Sequence, residues 1–397
     1  MLVALYNNFA DKKDLKIKLL TIIGARPQII KAAAVSRAIR NRFSDKIEER
    51  ILHTGQHYDA NMSQVFFDEL GIPHPDFNLN VGSGKHGEQT AKMIVGIENV
   101  LLSEHFDGVI LYGDTNSTLA GAVAASKLHV PVYHIEAGLR SFNMSMPEEI
   151  NRIVCDQLST VLFAPTETAV DNLKREGFAD SKARFADGRG HSVVNLGDVM
   201  YDNSVYFASV AESKSDVMKR LDLQSDKYIL VTVHRDNNTD IPERLTSIIR
   251  ALIEISKSRP HYKIVLPLHP RTAKQLPQNV NPQVYEEFSK CRNIICIPPT
   301  SFFDIIVLEK NAAIVLTDSG GVQKEAYFYE RPCVIMRPET EWVEITDASA
   351  GVIADADTQR IIDATDKLLS KKIEYPKVFG DSKASEHIMQ YILNSLN

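Results

Sequence analysis

In HIEAGLRSFNMSMPEEINR, residues 134–152, Glu136, Arg140, Glu148, Glu149 and Arg152 fall close together. On one helix such charges usually form a solvated face. Pro147 suits a first helical turn, and Glu148 with Arg152 or Glu149 with Arg152 has the i,i+4 or i,i+3 spacing of a surface ion pair. Two further carboxylates change that reading. YGDTNS sets Asp114 after one apolar run, and HIEA sets Glu136 after the next. A carboxylate at the end of a buried strand is costly unless it is paired or working, so Asp114, Glu136 and Glu148 are candidates for general acid and base.

Other short runs offer places for an anion. In TIIGARPQIIK a strand ends, Gly24 allows a tight turn and a helix begins near Pro27, which leaves Arg26 beside a helix N-terminus and Lys31 about one turn further on. LTDSGGVQKEA repeats the design. Ser319, Gly320 and Gly321 let a diphosphate approach free N–H groups, and Glu325 is placed for ribose hydroxyls. LVTVHR and LPLHPRT bring His234, Arg235, His269 and Arg271 out of strand ends. Carboxylates opposite basic phosphate-binding loops suggest proton transfer at a sugar carbon assisted by departure of a nucleotide.

Strands must carry these residues to one edge. Runs rich in Val, Ile and Leu at 17–23, 49–55, 108–114, 131–137 and 160–165 alternate with helical stretches, including PQIIKAAAVSRAIR, NMSQVFFDEL, TNSTLAGAVAASKL, PEEINRIVCDQLS and ETAVDNLKREG. The pattern restarts after Gly197. Strands are expected at 228–235 and 263–270 and in IICIPP, AAIVLTDSGG, PCVIMR and GVIAD, with a helix opened by Asp240 and a capping box from Ser301 to Asp304. Residues 180–192 read as an exposed hairpin or loop. Two parallel-sheet domains of this kind set their loops around a shared crevice.

The 397 residues, 44% of them hydrophobic, have enough apolar content for two cores, and a net charge of -6 argues against nucleic acid or an anionic membrane as the main partner. Cys155, Cys291, Cys296 and Cys333 have neither C-x-x-C nor zinc spacing and read as reduced thiols, with no metal site. The first residues lack the basic and apolar regions of a secretory signal, no run reaches membrane-spanning length, and the Asn143-Met-Ser145 sequon reads as chance, so a cytoplasmic protein is expected.

The motifs GARPQIIK, TGQHYDANM, YGDTNSTLAGA, HIEAGLRS, PEEINR, VTVHR, LPLHPRT and TDSGGVQKEA, in this order, resemble the non-hydrolysing UDP-N-acetylglucosamine 2-epimerases. The resemblance runs from Leu19 to Glu344. It implies an α/β, GT-B-like fold of two Rossmann-like, doubly wound parallel-sheet domains. Their expected extents are 1–198 and 199–375, with a C-terminal helix in 376–397 packing back on the first. It implies a homodimer, a UDP-sugar substrate, no cofactor and no catalytic metal. The implied reaction loses the C2 proton and UDP to give a 2-acetamidoglucal, then re-adds UDP after protonation on the opposite face.

By motif position, Asp114, Glu136, Glu148, His234 and Lys31 match catalytic positions. Arg26, Arg152, His269, Arg271, Ser319, Gly320, Gly321, Glu325, Arg337 and Trp342 match substrate-binding ones, and Phe302 or Phe303 of PPTSFFD is expected near uracil. Three departures stand out. The family's H-R-x-E-N reads here His234-Arg235-Asp236-Asn237-Asn238; T-E-R-P-E reads Thr340-Glu341-Trp342-Val343-Glu344; and Gln56-His57 is followed by Tyr58-Asp59 where bacterial members bind an activating second UDP-sugar. The T-E-W-V-E run with SFNMSMPEEINR resembles the branch acting on UDP-2,3-diacetamido-2,3-dideoxyglucuronate. A glycosyltransferase, a hydrolysing epimerase and a non-catalytic nucleotide-sugar sensor are the competing readings.

Overall fold

The computed structural model describes residues 16–56, 67, 71–178 and 190–396. The expected helix over NMSQVFFDEL, apart from Phe67, and His57, Tyr58 and Asp59 lie outside them, as do residues 180–189 of the expected loop. The chain divides into two units, Met1–Asn203 with Val378–Asn397, and Ser204–Lys377.

The first unit holds a seven-stranded sheet of β1 (Ile17–Ile23), β2 (Ile47–His53), β3 (Phe77–Asn78), β4 (Gly108–Tyr112), β5 (Val132–Ile135), β6 (Val161–Ala164) and β7 (Ser192–Asn195). Its order is β3-β2-β1-β4-β5-β6-β7 and every pairing is parallel. Parallel strands are covered on both faces, which is why β4, GVILY, reads as an unbroken apolar run rather than an alternating one.

Among the described residues, the α-helices between these strands are α1 (Arg26–Ala38), α2 (His86–Ser103), α3 (Asn116–Lys127), α4 (Pro147–Leu158) and α5 (Glu167–Arg175). The sequence reading missed α2. It has an inward stripe of Gln89, Met93, Ile97 and Leu101, but its N-cap, Lys85, offers no capping side chain. β3 and β7 were not expected either. Ser192, assigned to an exposed loop, opens β7, and His191 before it is buried.

The second unit has six parallel strands, β8 (Tyr228–Thr232), β9 (Lys263–Pro267), β10 (Ile294–Ile297), β11 (Ile314–Thr317), β12 (Cys333–Ile335) and β13 (Gly351–Ile353), in the order β10-β9-β8-β11-β12-β13. The helices continue with α6 (Val199–Lys214), which carries the chain across the unit boundary, then α7 (Val217–Arg220), α8 (Asp236–Thr239), α9 (Pro242–Ser258), α10 (Pro270–Asn279) and α11 (Pro282–Lys290). They end with α12 (Phe302–Asn311), α13 (Gly320–Phe328), α14 (Val343–Asp347), α15 (Thr358–Ser370) and α16 (Ala384–Leu396).

Leu245, Ile248 and Leu252 of α9 and Ile361 of α15 pack with Ile229, Val231, Ile264 and Leu316 of the sheet, each such side chain contributing about 1.5–3 kcal/mol of apolar burial. Asp240 does not open α9. The N-cap is Ile241, and the Asp240 carboxylate pairs with Arg271. In the expected Ser301–Asp304 box, the Ser301 hydroxyl does accept from the Asp304 N–H, but the Asp304 carboxylate is taken by Ser215 and Arg220. At α16 the Asp202 carboxylate accepts the N–H groups of Ala384 and Ser385 at 3.0 and 2.8 Å, and the helix lies against α1 in the first unit.

Strand order reverses direction between β1 and β4 in one sheet and between β8 and β11 in the other. In open α/β sheets ligands bind outside the carboxyl ends of strands at such points. The loops there carry Arg26, Asp114, His234 and Ser319.

Candidate active site

At the first switch point the Gln28 side chain joins two strand ends. Its oxygen accepts the N–H groups of Gly24 and Ala25 at 2.9 and 3.2 Å, and its nitrogen donates to the Tyr112 carbonyl and Thr118 hydroxyl at 3.1 and 3.0 Å. Gly24 is required for close approach, not for the turn conformation expected from sequence. A Cβ there would lie 2.1 Å from the Thr54 Oγ1 and 2.2 Å from the Ser117 Oγ.

Beyond Tyr112, Asp114 turns towards α4 and meets Arg152 Nη2 at 2.6 Å. Arg152 spans a second carboxylate, with its Nη1 2.6 Å from Glu149. Of the two spacings offered by PEEINR, helical phase selects Glu149, which is buried, whereas Glu148 is exposed. Burial opposes the charge on Arg152, but Asp114 and Glu149 more than offset it and hold the guanidinium above its ordinary range. Asn151 Nδ2 donates to the Asp114 carbonyl at 2.9 Å and fixes the turn from below.

On the neighbouring strand Glu136 has φ +72, outside the comfortable range of a side chain with a Cβ, and its N–H and that of Ala137 donate to the Phe163 carbonyl, each at 3.1 Å. Its carboxylate lies 2.8 Å from the Lys31 ammonium, both side chains being about nine-tenths buried. Lys31 thus reaches Glu136; Arg26, at the start of α1, is exposed. Two carboxylates on adjacent strand ends, each held by its own cation, can exchange protons with a substrate without either leaving its place.

In the second unit the focus is Asp318, which is fully buried at the end of β11. It accepts the N–H groups of His234 and Arg235 at 3.1 and 3.0 Å and the Asn238 amide at 3.2 Å, and its Oδ1 lies 3.3 Å from His234 Nδ1. Asn238, the asparagine that this H-R-D-N-N run shares with the family's H-R-x-E-N, holds Asp318 and also donates to the Met336 carbonyl at 2.8 Å. Burial lowers the His234 pKa below its ordinary value; Asp318 works the other way, while Arg235 and His269 add to the lowering. His269 lies beside it, ring centroids 5.6 Å apart, and its Nδ1 caps α10. Arg271 pairs with Asp240.

The Ser319 hydroxyl caps α13, and a Cβ on Gly320 would lie 3.4–3.7 Å from Glu341 Oε2, Arg337 Nη1 and Trp342 Nε1. Arg337 makes a two-pronged pair with Glu341 at 3.0 and 2.8 Å, and the Lys324 ammonium sits 4.0 Å from the centre of the buried Trp342 ring. Gly321, exposed, follows in the first turn. Burial pushes the Glu325 carboxyl up to about 7 against the pull of Lys324. Phe302 and Phe303 form an aromatic cluster with Phe207 of α6, and the Lys214 ammonium lies 4.9 Å from the Phe303 ring.

Asp318, Asn238, Gln28 and Asn151 were missed as site residues from sequence. Only Asp318 left a signal, as the acidic residue heading a glycine-rich turn.

Two parallel sheets with flanking helices, each with its polar loops at a switch point, define a two-domain Rossmann-like α/β protein of the GT-B-like class. The family model described as UDP-N-acetylglucosamine 2-epimerase matches residues 39–393, and the chain belongs to that family. A Pseudomonas aeruginosa protein named UDP-2,3-diacetamido-2,3-dideoxy-D-glucuronate 2-epimerase is 48% identical over 377 residues, 95% of this chain and 99% of that one. A Methanocaldococcus jannaschii UDP-N-acetylglucosamine 2-epimerase is 40% identical, over 95% of this chain and 99% of its own. The solved structure of that organism's UDP-GlcNAc 2-epimerase in complex with UDP-GlcNAc and UDP has a TM-score of 0.78 and covers 95% of this chain and 100% of its own.

Proposed function

We propose that this chain is a non-hydrolysing 2-epimerase that inverts C2 of a UDP-2-acetamido sugar. The observation that carries this reading is the pair of strand-end carboxylates, Asp114 on Arg152 and Glu136 on Lys31. A base takes the C2 proton, the C1–O bond to UDP breaks with its electron pair leaving on the diphosphate, and a C1–C2 double bond forms. Protonation of C2 on the other face and return of the UDP oxygen to C1 complete the inversion, so no water is consumed. Asp114, Glu136 and Glu148 supply the acid and base groups, and His234 takes the part of the catalytic histidine. Ser319, Gly320 and Gly321 receive the diphosphate at the start of α13, Glu325 the ribose, and Phe302 or Phe303 the uracil. Arg26, His269, Arg271, Arg337 and Trp342 complete the binding set.

The preferred sugar in this reading is UDP-2,3-diacetamido-2,3-dideoxyglucuronate. Support comes from the 48% identical relative of that name and from Trp342, which is buried beneath Lys324 where simple family members have arginine. UDP-GlcNAc is the second reading, favoured by the 40% identical relative. The protein acts as a cytoplasmic homodimer supplying a surface-polysaccharide precursor. The expected outcome for Glu136→Gln is loss of C2 hydrogen exchange with UDP binding retained; unchanged turnover in that variant removes Glu136 from the mechanism.

A further inference from the structure

Beneath the two acid/base turns lies a polar centre that the proposed chemistry does not use directly. His134 of β5 and Asp156 of α4 are both fully buried. His134 Nδ1 is 2.7 Å from Asp156 Oδ1, and its Nε2 is 2.8 Å from the Gly113 carbonyl oxygen. A carbonyl oxygen only accepts, so Nε2 must carry a hydrogen. The other Asp156 oxygen accepts the Gly138 N–H at 3.2 Å and meets Arg140 Nη2 at 2.7 Å, the company of an ionised carboxylate, so Nδ1 carries a hydrogen too.

His134 is therefore an imidazolium inside the protein. Burial opposes its charge, but Cys155 and Asp156 beside it hold the ring well above its ordinary pKa. Arg140 continues to Glu176 at 2.6 Å, so each buried cation has an anion.

The two ends of this centre reach the two turns. Gly113 immediately precedes Asp114, and Gly138 lies two residues beyond Glu136; both glycines have positive φ, +58 and +78. We propose that His134 and Asp156 are positioning residues, an imidazolium–carboxylate clamp that sets the Asp114 turn through the Gly113 carbonyl and the Glu136 turn through the Gly138 N–H. The proposal rests on reading Asp114 and Glu136 as the acid/base pair.

The test uses the full-length protein. With 15N-labelled histidine, NMR should show His134 with both ring N–H groups from about pH 6 to about pH 9, where an ordinary histidine loses one. His134→Gln, which keeps a donor for the Gly113 carbonyl but no charge, should lower kcat for C2 deuterium exchange by about 10- to 100-fold, with KM and UDP affinity unchanged. Asp156→Asn should do the same and remove one His134 ring proton. A single protonated ring nitrogen in the wild-type protein overturns the proposal even where the variants fail to fold, as does full exchange in folded His134→Gln. Asp114→Asn and Glu136→Gln run alongside. If they exchange normally, the acid/base reading fails; if they are dead while His134→Gln is unimpaired, only the clamp fails.

Discussion

Replacing Glu149 by glutamine keeps the shape of a side chain that is 1% exposed and removes its charge. Four donors converge on the carboxylate: the Ser141 N–H and hydroxyl, both at 3.0 Å, and Arg152 Nη1 at 2.6 Å on one oxygen, and the Phe142 N–H at 2.9 Å on the other. A glutamine can present its carbonyl to the first three, but its NH2 then faces the Phe142 N–H. One buried donor without a partner, together with a weakened bond to Arg152, costs about 3 kcal/mol. For a unit of this size that corresponds to a melting temperature lower by roughly 6–12 °C.

The effect has a pH signature. Burial works against ionisation of Glu149, yet the Ser141 and Phe142 N–H groups and Arg152 hold its folded pKa below the ordinary 4.5. Because the folded value lies below the unfolded one, the stability it contributes is present above about pH 4.5 and is lost as pH falls through the folded value. Calorimetric melts of wild type and Glu149→Gln at pH 7 and near pH 4 should therefore show a large difference that shrinks in acid. Equal melting temperatures at pH 7, or a gap that widens in acid, would refute the reasoning.

Two more substitutions probe the second unit. Asp318 opposes the lowering of the His234 pKa by burial, so Asp318→Asn should move the acid limb of the pH–rate profile to lower pH as well as reduce kcat; a shift to higher pH contradicts the assigned electrostatics. Gly320→Ala leaves its new Cβ in ordinary contact with Arg337, Glu341 and Trp342, so the melting temperature should hold while UDP affinity falls at least about tenfold, because the methyl occupies the approach to the α13 N-terminus. Calorimetric titration with UDP checks this, and undiminished affinity would remove Gly320 from the diphosphate site.

The elements legible in the sequence were those whose signal is local. The β1 bounds expected at 17–23 are those observed, since IKLLTII is mostly apolar and its last five residues are buried, as a parallel strand covered on both faces should be. β3, with two residues, and β7, SVVN, half-exposed, leave too short a signature. Among candidate site residues, Asp114, Glu136 and Ser319 could be named from sequence because each lies within two residues of a strand's carboxyl end. The choice of Glu149 over Glu148 as the partner of Arg152 required the helical phase, and His134–Asp156 and Asn238–Asp318 are pairings between distant segments that spacing cannot show. The Asp240 expectation failed because an acidic residue before a proline reads as a cap even when an arginine from another helix claims it.

The central claim is reversible removal of the C2 proton without hydrolysis. The most direct measurement is incubation of the protein in deuterated water with UDP-2,3-diacetamido-2,3-dideoxyglucuronate or UDP-GlcNAc as sole substrate, following C2 by proton NMR and the diphosphate by phosphorus NMR. The account predicts deuterium at C2 of both epimers, faster for the uronate, with UDP remaining attached to sugar at equilibrium. UDP binding without any C2 exchange, or accumulation of free UDP and free sugar, would contradict it.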